Sequence, residues 1–449
     1  MFSLTKPIML KGIAIAGVLL GSIINTALAD NPIIQTLYST DPAPFVYNNT
    51  VYLFTGHDET GARNYDMRDW RLYSSTDMVN WRDHGVILSL KNFSWAKADA
   101  WAAQVIERDG KFYYYVTVTK SSGGYAIGVA VSDKVTGPYK DALGKQLLSN
   151  NGIDPTVWID DSDGQAYMYW GHNGPAYYVK LNRDMISYSG SIVGTTVQNF
   201  IEGPWLHKRN GTWYLTYAGS GGSNEDIKYA TSTQPTGPWT YRGQVMAPQG
   251  RSFTNHAGIV DYKGSSYFFY HNGALPNGGT YARSVCVEKF SYNPDGTIPK
   301  LTMTDAGAPQ IGTLDPYSQP VEAETMAFSS GLITAAKIDG TGGGIYVTSI
   351  SQNDYIKVKG VDFGTAPGAA SVDLRVAAAA SGGKIELRVG SQSGTVIATC
   401  AVDATGGAQT WKTVSCPVSG GATGKQDLFF KFQGSNYNFD WWQFKRAVA

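Results

Sequence analysis

Cysteine is scarce, with three in 449 residues, so neither a disulfide-built scaffold nor a cysteine-rich metal module is available to this chain. Charge is sparse as well. Lys plus Arg and Asp plus Glu each total 36, and the four together make 16% of the residues. There is no basic excess to hold a phosphate backbone, which makes nucleic acid a poor partner. Apart from the first thirty residues, no apolar run is long enough to cross a bilayer. What is abundant is Gly (52), Tyr (28) and Trp (12), a composition suited to short strands, tight turns and stacking surfaces rather than long helices. At about 100 to 200 residues per ordinary domain, the length points to two unequal domains.

The N-terminus, "MFSLTKPIMLKGIAIAGVLLGSIINTALAD", has a positive start (Lys6, Lys11), an apolar stretch, and small residues at Ala27 and Ala29. Residues 1–29 are expected to be a secretory signal cut after Ala29, leaving a secreted protein with no membrane anchor. In an oxidising compartment Cys400 and Cys416, on consecutive candidate strands joined by a Gly-rich turn, are the expected disulfide. Cys286, in the apolar run "SVCVEKF", reads as a buried free thiol.

A unit recurs along the first two thirds of the chain: a polar or aromatic residue, a short apolar strand, a turn with Gly or Asn, and an aromatic strand. The copies are "DPAPFVYNNTVYLF" from Asp41, "WAAQVIERDGKFYYYV" from Trp101, "DPTVWIDDSDGQAYMYW" from Asp154, "EGPWLHKRNGTWYLTY" from Glu202 and "HAGIVDYKGSSYFFY" from His256. A second hairpin follows most of them, and the spacing is that of four-stranded blades. The expectation is an all-β chain: a five-bladed β-propeller over 30–305, a linker over 306–320, and a β-sandwich (jelly-roll) over 321–449. An ordinary β-sandwich over the first part would leave the fivefold grammar unexplained.

In a propeller, equivalent positions on successive inner strands face one axial cavity. Here they carry Asp41, Trp101, Asp154, Glu202 and His256. One Asp-Pro pair alone would read as a turn cap. Three carboxylates at equivalent positions read differently, because crowding and burial raise at least one pKa and leave another group ionised. Glycoside hydrolysis needs that pairing, a protonated acid for the leaving oxygen and a carboxylate for water or sugar, and Trp101 would supply a stacking face.

The segments "STDPAPF", "GIDPTVWIDDSDGQAYMYWG", "FIEGPWLHKRNGTWYLTYA" and "NHAGIVDYKGSSYFFYH" resemble the five-bladed propeller of family 43 glycoside hydrolases across nearly all of the first domain. The resemblance implies an inverting mechanism, with Asp41 as general base, Glu202 as general acid and Asp154 tuning and orienting the acid. Inversion requires base and acid about 6.5–9.5 Å apart. It further implies substrate contacts from Trp101, Phe45, His256 and Arg283, the last reaching the substrate and the second Asp, and a calcium ion held through water near His256. The chain departs from the family at "WAAQ", where many members have Trp-Ala-Pro. Within the family, "TGHDE" and "AWAAQVIERDGKFYYYV" look most like enzymes that remove α-L-arabinofuranosyl branches from arabinoxylan; exo-acting β-xylosidases are the alternative. A non-catalytic sugar-binding propeller is the rival from another class, but Asn or Gln would serve it as well as Asp and Glu.

The segments "VEAETMAFSSG", "NDYIKVKGVDFG" and "NFDWWQF" resemble a family 6 carbohydrate-binding module. That resemblance implies a structural calcium on Glu322, Glu324 and Asp440. It also implies a sugar sandwiched between two aromatics, but Ser349 and Ala408 stand at those places, leaving Asn438 with Trp411 nearby. The expected partner is plant cell-wall polysaccharide, arabinoxylan or xylan, with binding by this second domain weak.

Overall fold

Four of the five inner hairpins turn on two residues that both adopt positive φ: Asn48-Asn49, Asp109-Gly110, Asn210-Gly211 and Lys263-Gly264. Such turns match the twist of an antiparallel pair, which is why Asn, Asp and Gly recur at that point of each repeat. The computed structural model describes residues 30–447 except 151, 221, 249, 339–343 and 421, and the leader expected over 1–29 lies outside the described residues. Among the described residues strands dominate, and the helical element is one short 3-10 turn, Leu90–Asn92.

Five antiparallel sheets follow one another in the first domain. Their inner strands are Ser39–Tyr47, Ala103–Arg108, Thr156–Ile159, Phe200–Arg209 and Gly258–Tyr262. Each inner strand packs against the next, and the fifth packs back on the first, so the sheets form a closed ring. The fifth sheet has three strands of its own. The start of the chain completes its outer edge: Ile33 N–H donates to Val285 O at 2.9 Å, and Asn31 Oδ1 accepts from Val287 N at 3.0 Å. Large apolar side chains such as Phe54, Trp70 and Tyr114, all fully buried, fill the space between blades.

The second domain is a sandwich of two antiparallel sheets. Cys400 and Cys416 are bonded with Cα atoms 5.7 Å apart, and they join Thr395–Val402 in one sheet to Lys412–Pro417 in the other. Cys286 is a buried free cysteine. The stretch expected as a linker is held from both sides: Ile311 N–H donates to Asp77 O and Leu314 N–H to Gly360 O. The short strand Thr325–Met326 then pairs with Trp81–Ser89 and becomes the outermost strand of the first blade.

Candidate active site

Asp41 and Asp154 both have a left-handed backbone, with φ of 49° and 62°. Asp is among the few non-glycine residues that tolerate this region, and its use at two equivalent points turns both carboxyls out of the strand pleat. A register shift between Thr40 and Ala43 does the same work on the first inner strand. On the fourth, shifts flank Glu202, and Gly203 follows at φ 58°. An added Cβ at Gly203 would lie 3.0 Å from His256 Nδ1, so glycine lets the histidine approach.

The three carboxylates gather in one pocket of about 250 Å³ at one end of the ring axis, walled by Trp101, Tyr65 and Tyr125 and shared with His256, His271 and Arg283. The five axial positions expected from the repeats are all there. Trp101 is fixed by its indole N–H, which donates to Tyr65 O at 2.9 Å. At the "WAAQ" departure, Gln104 exchanges two hydrogen bonds with the Val157 backbone and ties the second inner strand to the third.

Asp41 is 7% exposed. Burial pushes its pKa up, but Arg283, with His256, His271 and the Thr40 hydroxyl, outweighs burial and holds the carboxyl below its ordinary value. Arg283 Nη1 lies 3.3 Å from Asp41 Oδ1. The histidines contribute little positive charge at neutral pH, because burial lowers both and takes His271 to about 3. His271 Nδ1 accepts from Asp41 N–H at 3.3 Å while Nε2 is 3.0 Å from Thr254 O, the pattern of a neutral ring protonated at Nε2. Arg283 is therefore the cation that keeps Asp41 ionised. Its other carboxylate partner is Asp58, through a bidentate pair at 2.7 and 2.9 Å, rather than the second Asp of the repeat.

Asp154 has the opposite environment. Burial raises its pKa well above the ordinary value, and the neighbouring Glu202, Asp41 and Glu225 raise it further. Its Oδ2 accepts from Gly203 N–H at 3.0 Å, which links it to the backbone beside Glu202. Glu202 Oε2 is 2.8 Å from His172 Nδ1.

Several site residues were not singled out from sequence. Glu225, 6% exposed, is pushed up to about 9 by burial and by Glu202, and its Oε2 accepts from Asn255 N–H at 3.1 Å. Asn255 Oδ1 in turn accepts from His256 N–H at 2.9 Å. His271, a polar residue ending the aromatic strand Ser265–Asn272, carried a legible signal. Glu225 and His172 lie in ordinary polar stretches and carried none, and Asp58 lies inside the quoted "TGHDE" without having been picked out of it. One expected contact is corrected: Phe45 does not line this pocket but a separate cavity at the other end of the inner strands, because it lies four residues farther along its strand than Asp41.

The expected calcium ligands of the second domain are differently engaged. Glu322 pairs with Arg82 at 3.1 Å, Glu324 lies 3.8 Å from the same guanidinium, and Asp440 is held by Lys337 at 2.5 Å and Arg375 at 3.1 Å. Arg82, Lys337 and Arg375 thus bring positive charge to these carboxylates, while Glu324 Oε2 and Asp440 Oδ1 stay buried without a hydrogen-bond partner. Among the described residues, the one group of three or more acidic, histidine or cysteine residues whose ligand atoms all lie within 4.8 Å of one another is His57, Glu59 and Asp69. In the sugar cleft, Ser349 and Ala408 are exposed where aromatics were expected. Asn438 is occupied internally, donating to Ala408 O at 2.6 Å and accepting from Thr348 Oγ1 at 2.7 Å.

The family described as glycosyl hydrolases family 43 matches residues 29–298, and the carbohydrate binding module of family 6 matches residues 322–446. An arabinoxylan arabinofuranohydrolase of Bacillus subtilis is 35% identical, with 92% of each chain covered. A xylosidase/arabinosidase of Bacteroides ovatus is 33% identical over 58% of this chain and 94% of its own. The crystal structure of a family 43 arabinoxylan arabinofuranohydrolase from Bacillus subtilis, in complex with cellotetraose, superposes with a TM-score of 0.83 at 33% identity, covering 94% of this chain and 99% of that one. With the carboxylate-lined propeller pocket and the sandwich behind it, these matches make the chain a member of glycosyl hydrolase family 43 that carries a family 6 carbohydrate-binding module.

Proposed function

We propose that this protein is a secreted glycosidase that releases α-L-arabinofuranosyl side groups from arabinoxylan with inversion at the anomeric carbon. The observation that carries the reading is the opposed state of two neighbouring carboxyls: Asp41 held ionised beside Arg283, and Asp154 held protonated among carboxylates. Asp41 takes a proton from water as the water oxygen bonds to the anomeric carbon. Glu202 gives a proton to the leaving oxygen as the glycosidic bond breaks. Asp154 orients the acid through Gly203 N–H and, carrying no charge of its own, leaves Asp41 the ionised member of the pair. A small pocket with aromatic walls suits one sugar ring rather than a chain threading through. The names of the relatives support the arabinofuranosyl substrate and the full-length match favours it over xylosidase action.

Calcium belongs to this proposal at the axis alone. There His256 lines the pocket together with the carboxyls of Asp41 and Glu202. An ion there would supply positive charge to that group.

Asp41→Ala and Glu202→Ala should each reduce arabinose release from arabinoxylan by roughly 10²–10⁴-fold. Chromatography of the products separates arabinose from xylose, and proton NMR of the first-formed anomer reads the stereochemistry. Near-native turnover in either variant would remove the role assigned to that residue, and xylose as the main product would convert the reading to a xylosidase.

A further inference from the structure

The molecule's larger axial cavity is not the active-site pocket. It lies toward the other end of the five inner strands, measures about 450 Å³, and is lined by the residues that follow the axial set, among them Phe45, Tyr47, Trp158 and His207, with Tyr292. Trp158 stands four residues beyond Asp154, as Phe45 does beyond Asp41. At about 3.3 Å per residue this is some 13 Å down each strand, enough to separate the two sites.

Its chemistry narrows the occupant. Phe45, Tyr47, Trp158 and Tyr292 are partly exposed, offering aromatic faces. The charged lining residues are Glu107 and Asp261 against Lys208 and Arg209, and they cancel. The cations are already engaged: Lys208 with Asp160 at 2.7 Å and Asp161 at 2.6 Å, and Arg209 with Asp261 at 3.2 Å. No free cation is left for a phosphate or carboxylate. His207, 5% exposed, lines the same cavity with its Nδ1 buried and without a hydrogen-bond partner, while its Nε2 lies 2.8 Å from Tyr292 Oη. His207 also stacks on Tyr214 with ring centroids 4.8 Å apart, so it serves to fix Tyr292 on the cavity wall. Partly exposed aromatic faces and zero net charge describe a neutral sugar.

We propose that this opposite mouth of the propeller is a second saccharide site, which holds a run of xylose units of the same polymer that the active site trims. The inference rests on the arabinoxylan reading above. It also explains how a chain whose second domain has lost both stacking residues could stay on its substrate, since two weak sites on one polymer multiply through effective concentration.

The test uses the full chain with Glu202→Gln, so that bound sugar is not cut. Retention on insoluble arabinoxylan should fall at least about fivefold on adding Trp158→Ala, and Trp158→Phe should restore most of it, as stacking loss predicts. Calorimetry with xylohexaose should count one site fewer after Trp158→Ala. Should that variant fail to fold by its melting curve, Tyr47→Ala takes its place. In the otherwise native chain, KM on polymeric arabinoxylan should rise while hydrolysis of 4-nitrophenyl α-L-arabinofuranoside is unchanged. Equal retention and equal KM in folded variants, or an unchanged site count, would overturn the second site. Absence of arabinoside hydrolysis by the native chain would instead remove the functional reading, and the retention assay would still report on the cavity.

Discussion

Asp41 and Asp154 hold a backbone conformation that costs a residue with a Cβ about 1–3 kcal/mol, less for Asp and Asn than for most. Asn is therefore the substitution that changes charge and leaves the turn intact. Asp154 and Glu225 also make the folded chain hold protons that the unfolded chain gives up. For Glu225 the folded value is about 9 against an ordinary 4.5, so the unfolded state loses its proton first as pH rises between these values. The contribution to stability is full below 4.5, falls through that window, and levels off above about 9. Glu225→Gln keeps an acceptor for Asn255 N–H and removes the titration. It should melt at the same temperature as the native chain near pH 4.5 and higher at pH 8, giving a flatter curve of melting temperature against pH. Parallel curves would show that Glu225 is not protonated in the fold. Asp154→Asn, which keeps an acceptor for Gly203 N–H and removes a titration of the same sign, should likewise melt higher at pH 7.

Among the elements, the strand Val321–Glu322 and Lys337, which follows the strand Ile333–Ala336, decide whether the sandwich needs the ion that its family resemblance implies. Lys337 sits on Asp440 and 6.0 Å over the Trp411 ring, so one ammonium neutralises the carboxylate and covers the indole face that a sugar would need. A chelator should leave the melting of the sandwich within about 1 °C, whereas Lys337→Met, which strips Asp440 of one cation, should lower it by about 4 °C, the shift expected for roughly 1 kcal/mol in a domain of this size. A large drop on chelation with no effect of Lys337→Met would restore calcium to Glu322, Glu324 and Asp440.

The same elements mark what sequence could carry. The inner hairpins were legible because each repeat must place Asn, Asp or Gly where φ is positive, and the axial residues were legible because the repeat counts them out. The electrostatic partners were not. Asp58 and Arg283 are 225 residues apart and meet only because the ring closes, and Glu225 reaches the site from the third strand of its blade, where no repeat position announces it. Phe45 was misread because the pleat and rise of a strand, not its closeness in sequence to Asp41, decide which end of the axis a side chain faces.

At the scale of the molecule, the two domains share a seam rather than a tether. Asp30 pairs with Lys357 and Lys359, Asn80 exchanges two hydrogen bonds with the Lys359 backbone, and Thr334 Oγ1 donates to Asp83 at 2.6 Å. With the strand Thr325–Met326 on the first blade, the sandwich protects an edge that would otherwise be exposed. A chain ending at Pro320 should therefore melt at least about 4 °C below the full chain, with a single transition in the full chain giving way to an earlier one. A truncated propeller that melts with the full chain would show the seam to be passive.

The hydrogen bonds from Asn31 and Ile33 to the strand Ser284–Phe290 have a consequence in time. The two partners are separated by about 250 residues, and the entropy of closing such a loop grows only with the logarithm of its length, so distance is a small energetic obstacle. It is an obstacle of order. The first four strands of the first blade are made long before the partner of the clasp exists, and the ring stays an open arc until the last blade joins it. The catalytic pocket, which takes a residue from every blade, cannot exist in that arc; activity begins when the clasp is fastened.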